Sequence, residues 1–450
     1  MTIGRRPLMR AALAAPIAAQ ARAQAHAQAQ AQAQPGGPLP VIFVHGNGDT
    51  AGLWITTFWR FESNLYPRDR LFALDLRYPQ ATAVYDKAQP GRSTAEDVMR
   101  QLAAEVSRVK ALTGAARVVL VAQSRGGNTV RNYIKNGGGA AHVALVVTCG
   151  AVNHGVIVSD KVMLGSEFNG ASAFMRDLNA QEVLPGIRTV TIRSDSNDKY
   201  AQPDGASLGM KGIPTGVGFE GPALAGAENH VLPGADHREA GYGPATLPPL
   251  FTAITGTAPI TLAITPEPAP VLNGKVSGFE ADAPTNIGLG GVRVTIFRIG
   301  ATTGEREGPA VHERVTGEDG IWGPFIADPA AFHEFVIAAP GTPITHIYRS
   351  PFPRSSDILH LRPQPFGKGD TDAPAVLYLS RPRGYFGGGR DHVAINGTPV
   401  GLPPGVPTLS TARHVSEPGT SCTGTFNDET IPARTWPAAT GHISVIEFTA

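Results

Sequence analysis

The residues best placed to do chemistry lie in Ala122-Gln123-Ser124-Arg125-Gly126, directly behind the apolar run at 118–121. A serine wedged between a strand and a helix, with small residues two positions away on each side, has the spacing of a nucleophile elbow. The backbone there turns sharply, and larger flanking side chains would collide. A hydroxyl is a weak nucleophile near neutral pH, so it needs a base, and the base needs an acid to orient it. In a domain of alternating strands and helices the acid is expected next in the chain, just past a strand, and the histidine last. The stretch RTVTIRSDSNDKYAQPD offers Asp195, Asp198 and Asp204. Asp198 is the choice because it sits past the strand in a polar turn that can fold back. Asp195, which adjoins the strand end, is the runner-up. Before the Pro-rich stretch that follows, His230 and His237 are the candidate bases. His230 belongs to what reads as the last strand, where a histidine is usually structural. His237 follows in a loop, LPGADHRE, that can reach Ser124. Acyl transfer also creates an oxyanion, and each N–H donor aimed at it is worth ~3 kcal/mol. HGNG at 45–48 closes the first strand with a flexible loop, so the N–H groups of Asn47 and Arg125 are the expected donors. His45 could serve as a base but is read as bracing that loop.

These groups need a rigid frame. VIFVHG (41–46), LFALDL (71–76), RVVLVAQ (117–123), HVALVVT (142–148) and RTVTIRS (188–194) read as strands. Ser93-Thr94-Ala95-Glu96 reads as a capping box, with serine and glutamate each satisfying a free backbone N–H. Behind it Val98, Leu102, Val106 and Val109 share one helical face, and Gly114 ends the helix. NTVRNYIKN (128–136) reads as a second helix. Strands alternating with helices imply a mostly parallel sheet covered on both faces. In SEFNGASAFMRDLN (166–179) the apolar residues Phe168, Phe174, Met175 and Leu178 fit either an active-site lid or a surface helix with one buried face. Beyond residue 256 a Pro-rich linker leads into short strand-like runs such as GVRVTIFRI and HISVIEF, with no convincing long helix. That tail reads as all-β, sandwich- or barrel-like, in two modules split near Pro365.

At 450 residues the chain implies about two or three domains. A hydrophobic fraction of 42% is enough for real cores. A net charge of +1 with 17% charged residues argues against nucleic acid as a partner. Cys149 and Cys422 stand far apart, without the spacing of a zinc site or a disulfide framework. The start of the chain carries Arg5-Arg6, a short Ala-rich run and Ala-x-Ala sites, and no acidic residue precedes Asp49. This reads as an export signal of the twin-arginine type, which places the mature protein in the periplasm or outside the cell. No segment approaches the ~20 apolar residues of a spanning helix.

Taken together, VIFVHGNG, VAQSRGG, SDSNDKYAQP and LPGADHRE resemble the α/β-hydrolase fold, and within it secreted bacterial and archaeal lipases and esterases. CGAVNHGV (149–156) is similar to a lipase segment near the acyl site, which implies His154 as a pocket residue, beside Phe168 and Phe174 under the lid reading. The tail resembles the C-terminal β domain of an archaeal long-chain lipase, and GEDGIWGPF (317–325) a turn of prealbumin-like sandwiches. That likeness implies docking of insoluble substrate or structural support. The resemblance as a whole implies a secreted serine hydrolase that cleaves carboxylic esters, a lipase acting on acylglycerols through an acyl-enzyme, with no metal or cofactor required. A polyhydroxyalkanoate depolymerase and a short-chain carboxylesterase are the enzymatic alternatives. A catalytically dead binding protein is the alternative from another class, opposed by the presence of serine, histidine and the glycines of the oxyanion loop. The expected organisation is an export signal and Ala/Gln-rich tether (1–34), an α/β-hydrolase domain (35–256), a Pro-rich linker (257–270), a prealbumin-like sandwich (271–365) and a second β module (366–450).

Overall fold

The computed structural model describes residues 37–449, so the expected export signal and tether at 1–34 lie outside the described residues. The first part of the chain forms a six-stranded, fully parallel sheet from β1 (Val41–Val44), β2 (Leu71–Leu74), β3 (Val118–Gln123), β4 (Val143–Cys149), β5 (Arg188–Ser194) and β6 (Glu228–Leu232). The spatial order is β2-β1-β3-β4-β5-β6. Side chains alternate across a strand, and both faces are filled. Val41 and Phe43 join Val119 and Val121 in a core with Trp54, Phe61, Leu250 and Phe251. Ile42 and Val44 join Leu120 and Ala122 on the other face, against Val98, Leu102, Val106 and Val109. Those three valines and one leucine belong to α2 (Ala95–Thr113), which follows α1 (Ile55–Ser63) and precedes α3 (Arg125–Asn136). Gly114 ends α2 in the left-handed conformation, φ 67°.

The capping box of α2 is shifted one residue from the sequence expectation. Thr94 is the N-cap and its hydroxyl accepts from the Asp97 N–H at 3.1 Å, while Asp97 Oδ2 accepts from the Thr94 N–H at 3.0 Å. Ser93 is engaged elsewhere. Its Oγ donates to the Tyr78 carbonyl at 2.6 Å and accepts from Arg125 Nη1 at 2.9 Å, so it serves the elbow rather than the helix.

Residues 271–449 are β-rich, with no α-helix among the described residues. Their main sheet has seven strands, and it continues across Pro365. Ile344–Arg349 pairs in parallel with His442–Glu447, which pairs in parallel with Ala375–Ser380. The strands expected to form two separate modules therefore share one ladder. The part that holds the parallel sheet packs against this region through α1, whose Ile55 and Trp59 enter a core with Trp322, Phe335 and Phe352. Trp59 Nε1 also donates to the Ser355 carbonyl at 2.9 Å. Cys149 and Cys422 are both free and buried.

Candidate active site

Ser124 sits between β3 and α3 with φ 53° and ψ −123°, a conformation that costs a non-glycine residue about 1–3 kcal/mol. The turn is held on both sides: Ser124 N–H donates to the Cys149 carbonyl at 3.2 Å, and its carbonyl accepts from Gly127 N–H at 2.9 Å. The small residue at 126 is a steric requirement. A Cβ there would stand 2.6 Å from the Val44 carbonyl oxygen and 2.9 Å from that of His45. The elbow can therefore lie against the end of β1 only with glycine at this place.

His237 lies five residues past β6, in the loop ahead of the short helix Glu239–Tyr242. Its Nδ1 faces both oxygens of Asp198, at 2.9 and 3.0 Å, and both side chains are 2% exposed. A carboxylate only accepts, so Nδ1 carries the proton and Nε2 keeps a lone pair. Nε2 is buried and has no protein partner. The Tyr200 ring stands edge-on to the imidazole at 4.6 Å, and Gln123 Nε2 donates to the His237 carbonyl at 3.1 Å. Asp195 and Asp204 do other work. Asp195 accepts from Gly234 N–H at 2.8 Å and from Asn197, while Asp204 caps a turn at Ala206. His230 pairs with Glu228 on the exposed side of β6, at 2.8 Å.

The HGNG loop is fastened from below. His45 Nδ1 donates to the Gly46 carbonyl at 2.9 Å, and its Nε2 accepts from Leu76 N–H at 3.1 Å. Burial lowers the pKa of His45, which keeps it neutral and suited to this double role. Asn47 Oδ1 accepts from Ala81 N–H at 2.8 Å, which orients the residue. Neither Asn47 N–H nor Arg125 N–H has a protein acceptor among the described residues. The Arg125 side chain is wholly buried: it pairs with Glu167 at 2.7 Å and donates to Ser93 and the Pro79 carbonyl.

Ser124, Asn47 and His237 line one cavity of about 270 Å³, whose apolar wall is Val152, Val156, Met163, Phe168, Leu208 and Met210. Of the three side chains expected around the acyl group, Phe168 is in this wall, while His154 and Phe174 are not. His154 is tied to the Gly221 carbonyl at 2.7 Å and to Glu182 at 3.0 Å. Phe174 is turned inward with Met175 and Leu178 on the buried face of the helix Ala173–Asn179 and stacks on Tyr85 at 5.4 Å. That helix is thus a surface helix with one buried face. Exposed apolar residues are found instead in loops, at Val158, Met163, Leu164 and Ile213 among others.

Sequence reasoning missed the contribution of the tail. Tyr385 lines the Ser124 cavity, with Lys199 Nζ 4.2 Å and the Arg238 guanidinium 4.9 Å from its ring. Burial, helped by Arg238, pushes the Lys199 ammonium down to about 8. Asp236, the neighbour of His237, is fully buried and accepts from Arg381 Nη1 at 2.8 Å and from Tyr385 N–H at 2.8 Å. Asn286 donates to the Asp49 carbonyl at 2.9 Å and to the Leu76 carbonyl at 3.0 Å, beneath the HGNG loop. No local motif marks these residues, because each acts on a loop far away in the chain. Among the described residues no group of three or more His, Cys, Asp or Glu side chains could hold a metal ion, and no helix is long and apolar enough to cross a membrane.

Two family models match this chain. Residues 38–209 match the family model described as lipase (class 2), and residues 270–366 match the lipase C-terminal domain. Among similar solved structures is the mature form of the lipase BlEst2 of Bacillus licheniformis, 19% identical over 50% of this chain and 95% of that one, TM-score 0.37. Lipase B of Aspergillus fumigatus is 17% identical over 50% of this chain and 54% of its own, TM-score 0.35. The carboxylesterase CesB of Bacillus subtilis is 12% identical over 50% of this chain and 86% of its own, TM-score 0.31. The chain is a carboxylic ester hydrolase of the α/β-hydrolase fold that carries a class 2 lipase domain followed by a β-rich lipase C-terminal domain.

Proposed function

We propose that the protein is an exported serine hydrolase of the lipase type, acting on acylglycerols or similar esters. Ser124 Oγ attacks the ester carbonyl carbon while His237 Nε2 takes its proton. Asp198 holds the imidazole and stabilises its cationic form. The N–H groups of Asn47 and Arg125 receive the oxyanion. The tetrahedral intermediate then expels the alkoxide, which takes the proton from His237, and water releases the acyl group from Ser124 by the same steps. One observation carries this reading: Nε2 of His237 is buried and unpartnered, its tautomer set by Asp198, in the cavity that Ser124 lines. The six apolar side chains opposite the serine suit a hydrocarbon acyl chain. The exposed apolar loops at 158–164 suit contact with a lipid–water interface.

The test is hydrolysis of p-nitrophenyl esters from acetate to palmitate by the wild type and Ser124→Ala. Activity that rises toward long chains and vanishes in the variant supports the lipase. Activity confined to short chains indicates the esterase or polyester depolymerase instead, and absence of hydrolysis indicates a binding protein.

A further inference from the structure

The loop that presents Asn47 and the loop that presents His237 are distant in the chain, yet one ion pair joins them. Residues 46–49 form a tight turn in which the Asp49 N–H donates to the Gly46 carbonyl at 3.3 Å. Asn47 and Gly48 are its central residues, and Gly48 has φ 77°, the positive value that a type II turn needs at its third position. The Asn47 N–H thus rides on a turn whose last residue is Asp49. The Asp49 carboxylate folds back over that turn: a Cβ on Gly46 would stand 3.2 Å from Asp49 Oδ2 and 2.8 Å from the Ser124 Cβ. The other carboxylate oxygen, Oδ1, pairs with Arg238 Nη2 at 2.6 Å.

Arg238 directly follows His237 and is held from several sides. Its N–H donates to Asp236 Oδ1 at 2.7 Å, its Nη1 donates to the Pro382 carbonyl at 3.3 Å, and its guanidinium stands 4.9 Å from the Tyr385 ring. Asp49 and Arg238 both line the Ser124 cavity. Their side chains are 9% and 16% exposed, so solvent screens the pair less than it would at the surface. Other charges act on it: Asp236 and Lys199 on Arg238, and Arg362 and His45 on Asp49. The share that belongs to the pair itself is the coupling between its two members, which a double-mutant cycle isolates.

Resting on the serine-hydrolase reading above, we infer that Asp49 and Arg238 are positioning residues, whose ion pair straps the turn carrying the Asn47 N–H to the loop carrying His237. When Ser124 Oγ bonds to the ester carbonyl carbon, the carbonyl oxygen becomes an anion and the serine proton passes to His237 Nε2. Donor and base must be in place at the same moment, and a displacement of ~1 Å can cost about 10²-fold in rate. The apolar wall comes from other segments, at 152–168 and 208–210, so the strap serves the transition state rather than substrate binding.

The experiment measures kcat and KM on p-nitrophenyl butyrate, and inhibition by 1,1,1-trifluoro-2-hexanone. Ser124 Oγ adds to this ketone as it does to an ester, leaving an oxyanion on carbon and the proton on His237. Asp49→Ala and Arg238→Ala should each lower kcat by about tenfold or more, weaken the ketone by a similar factor and leave KM within about threefold of wild type. The double variant should fall no further than the worse single one. Asp49→Asn, which keeps an oxygen able to accept from Arg238, should recover part of the loss. A kcat within twofold of wild type in either alanine variant, losses that multiply in the double variant, or an undiminished affinity for the ketone overturns the inference. If circular dichroism shows that an alanine variant does not fold, Asp49→Asn and Arg238→Lys carry the same cycle, and a kcat within twofold of wild type in both overturns it. These outcomes leave the hydrolase reading standing. A wild type that cleaves no ester and ignores the ketone overturns that reading, and the strap with it.

Discussion

At the scale of single residues, the site depends on which nitrogen of His237 holds the proton. Both oxygens of Asp198 lie within 3.0 Å of Nδ1, so the carboxylate enforces the tautomer that leaves Nε2 basic. Asp198→Asn keeps the shape but can donate its amide hydrogens to Nδ1, which moves the proton to Nε2. Under the proposed mechanism kcat should fall by about 10⁴, with KM little changed and folding intact. Steady-state kinetics on a soluble ester, beside circular dichroism, checks it. Retention of more than a tenth of the activity would exclude Asp198 as the orienting acid. The sequence favoured Asp198 over Asp195 only by its place past the strand. Their roles differ because Asp195 is occupied by the Gly234 N–H, while Asp198 lies inside the fold against His237.

At the scale of elements, the elbow is a strained turn that its neighbours over-determine. Arg125 begins α3, and its buried side chain ties the elbow to Glu167 and to the segment around Ser93. Truncating one member of a buried ion pair leaves the other charge uncompensated, at a cost of about 3–5 kcal/mol. Glu167→Ala should therefore lower the unfolding free energy by about that amount, measured by urea denaturation, and should lower activity as the elbow loosens. A loss under 1 kcal/mol would mean that Arg125 finds another partner. This pair escaped the sequence reading, which noticed only the Arg125 backbone N–H. An arginine in a small-x-Ser-x-small motif carries no mark that its side chain is buried. The frame itself was legible, since Val98, Leu102, Val106 and Val109 have helical spacing and all four are buried.

At the scale of the whole molecule, the tail reaches into the catalytic part. Arg381 contributes to Asp236, Tyr385 to the cavity wall, and Asn286 to the floor of the HGNG loop. Arg381→Gln should lower kcat more than it raises KM, because the loop carrying His237 is released while the apolar wall stays. Unchanged kcat with a normal melting temperature would reduce the contact to simple docking. The β-rich region also makes stability pH-dependent. His333 is fully buried among Phe325, Phe335 and Phe352, and burial, helped by Arg298, pushes its pKa down to about 4. Between pH 6.5 and 4 the unfolded chain binds this proton and the folded chain does not, so stability falls as the pH falls through that window. The difference amounts to about 3 kcal/mol. His333→Phe should flatten the decline in melting temperature between pH 7 and pH 5. An identical decline in wild type and variant would remove His333 as its source.

The sequence by itself determined whatever is written in local pattern. Apolar runs marked five of the six parallel strands, helical spacing set α2, and the small residues around Ser124 marked the elbow. These follow from short-range rules: side-chain alternation along a strand, the 3.6-residue turn of a helix, and steric limits on a tight turn. The tertiary structure decided which aspartate meets His237, which apolar side chains face the cavity, and how the tail supports the site. Such choices rest on residues brought together over separations as long as the 237 positions between Asp49 and Asn286. Burial and pairing at that range depend on the packing of the whole chain, which no local stretch encodes.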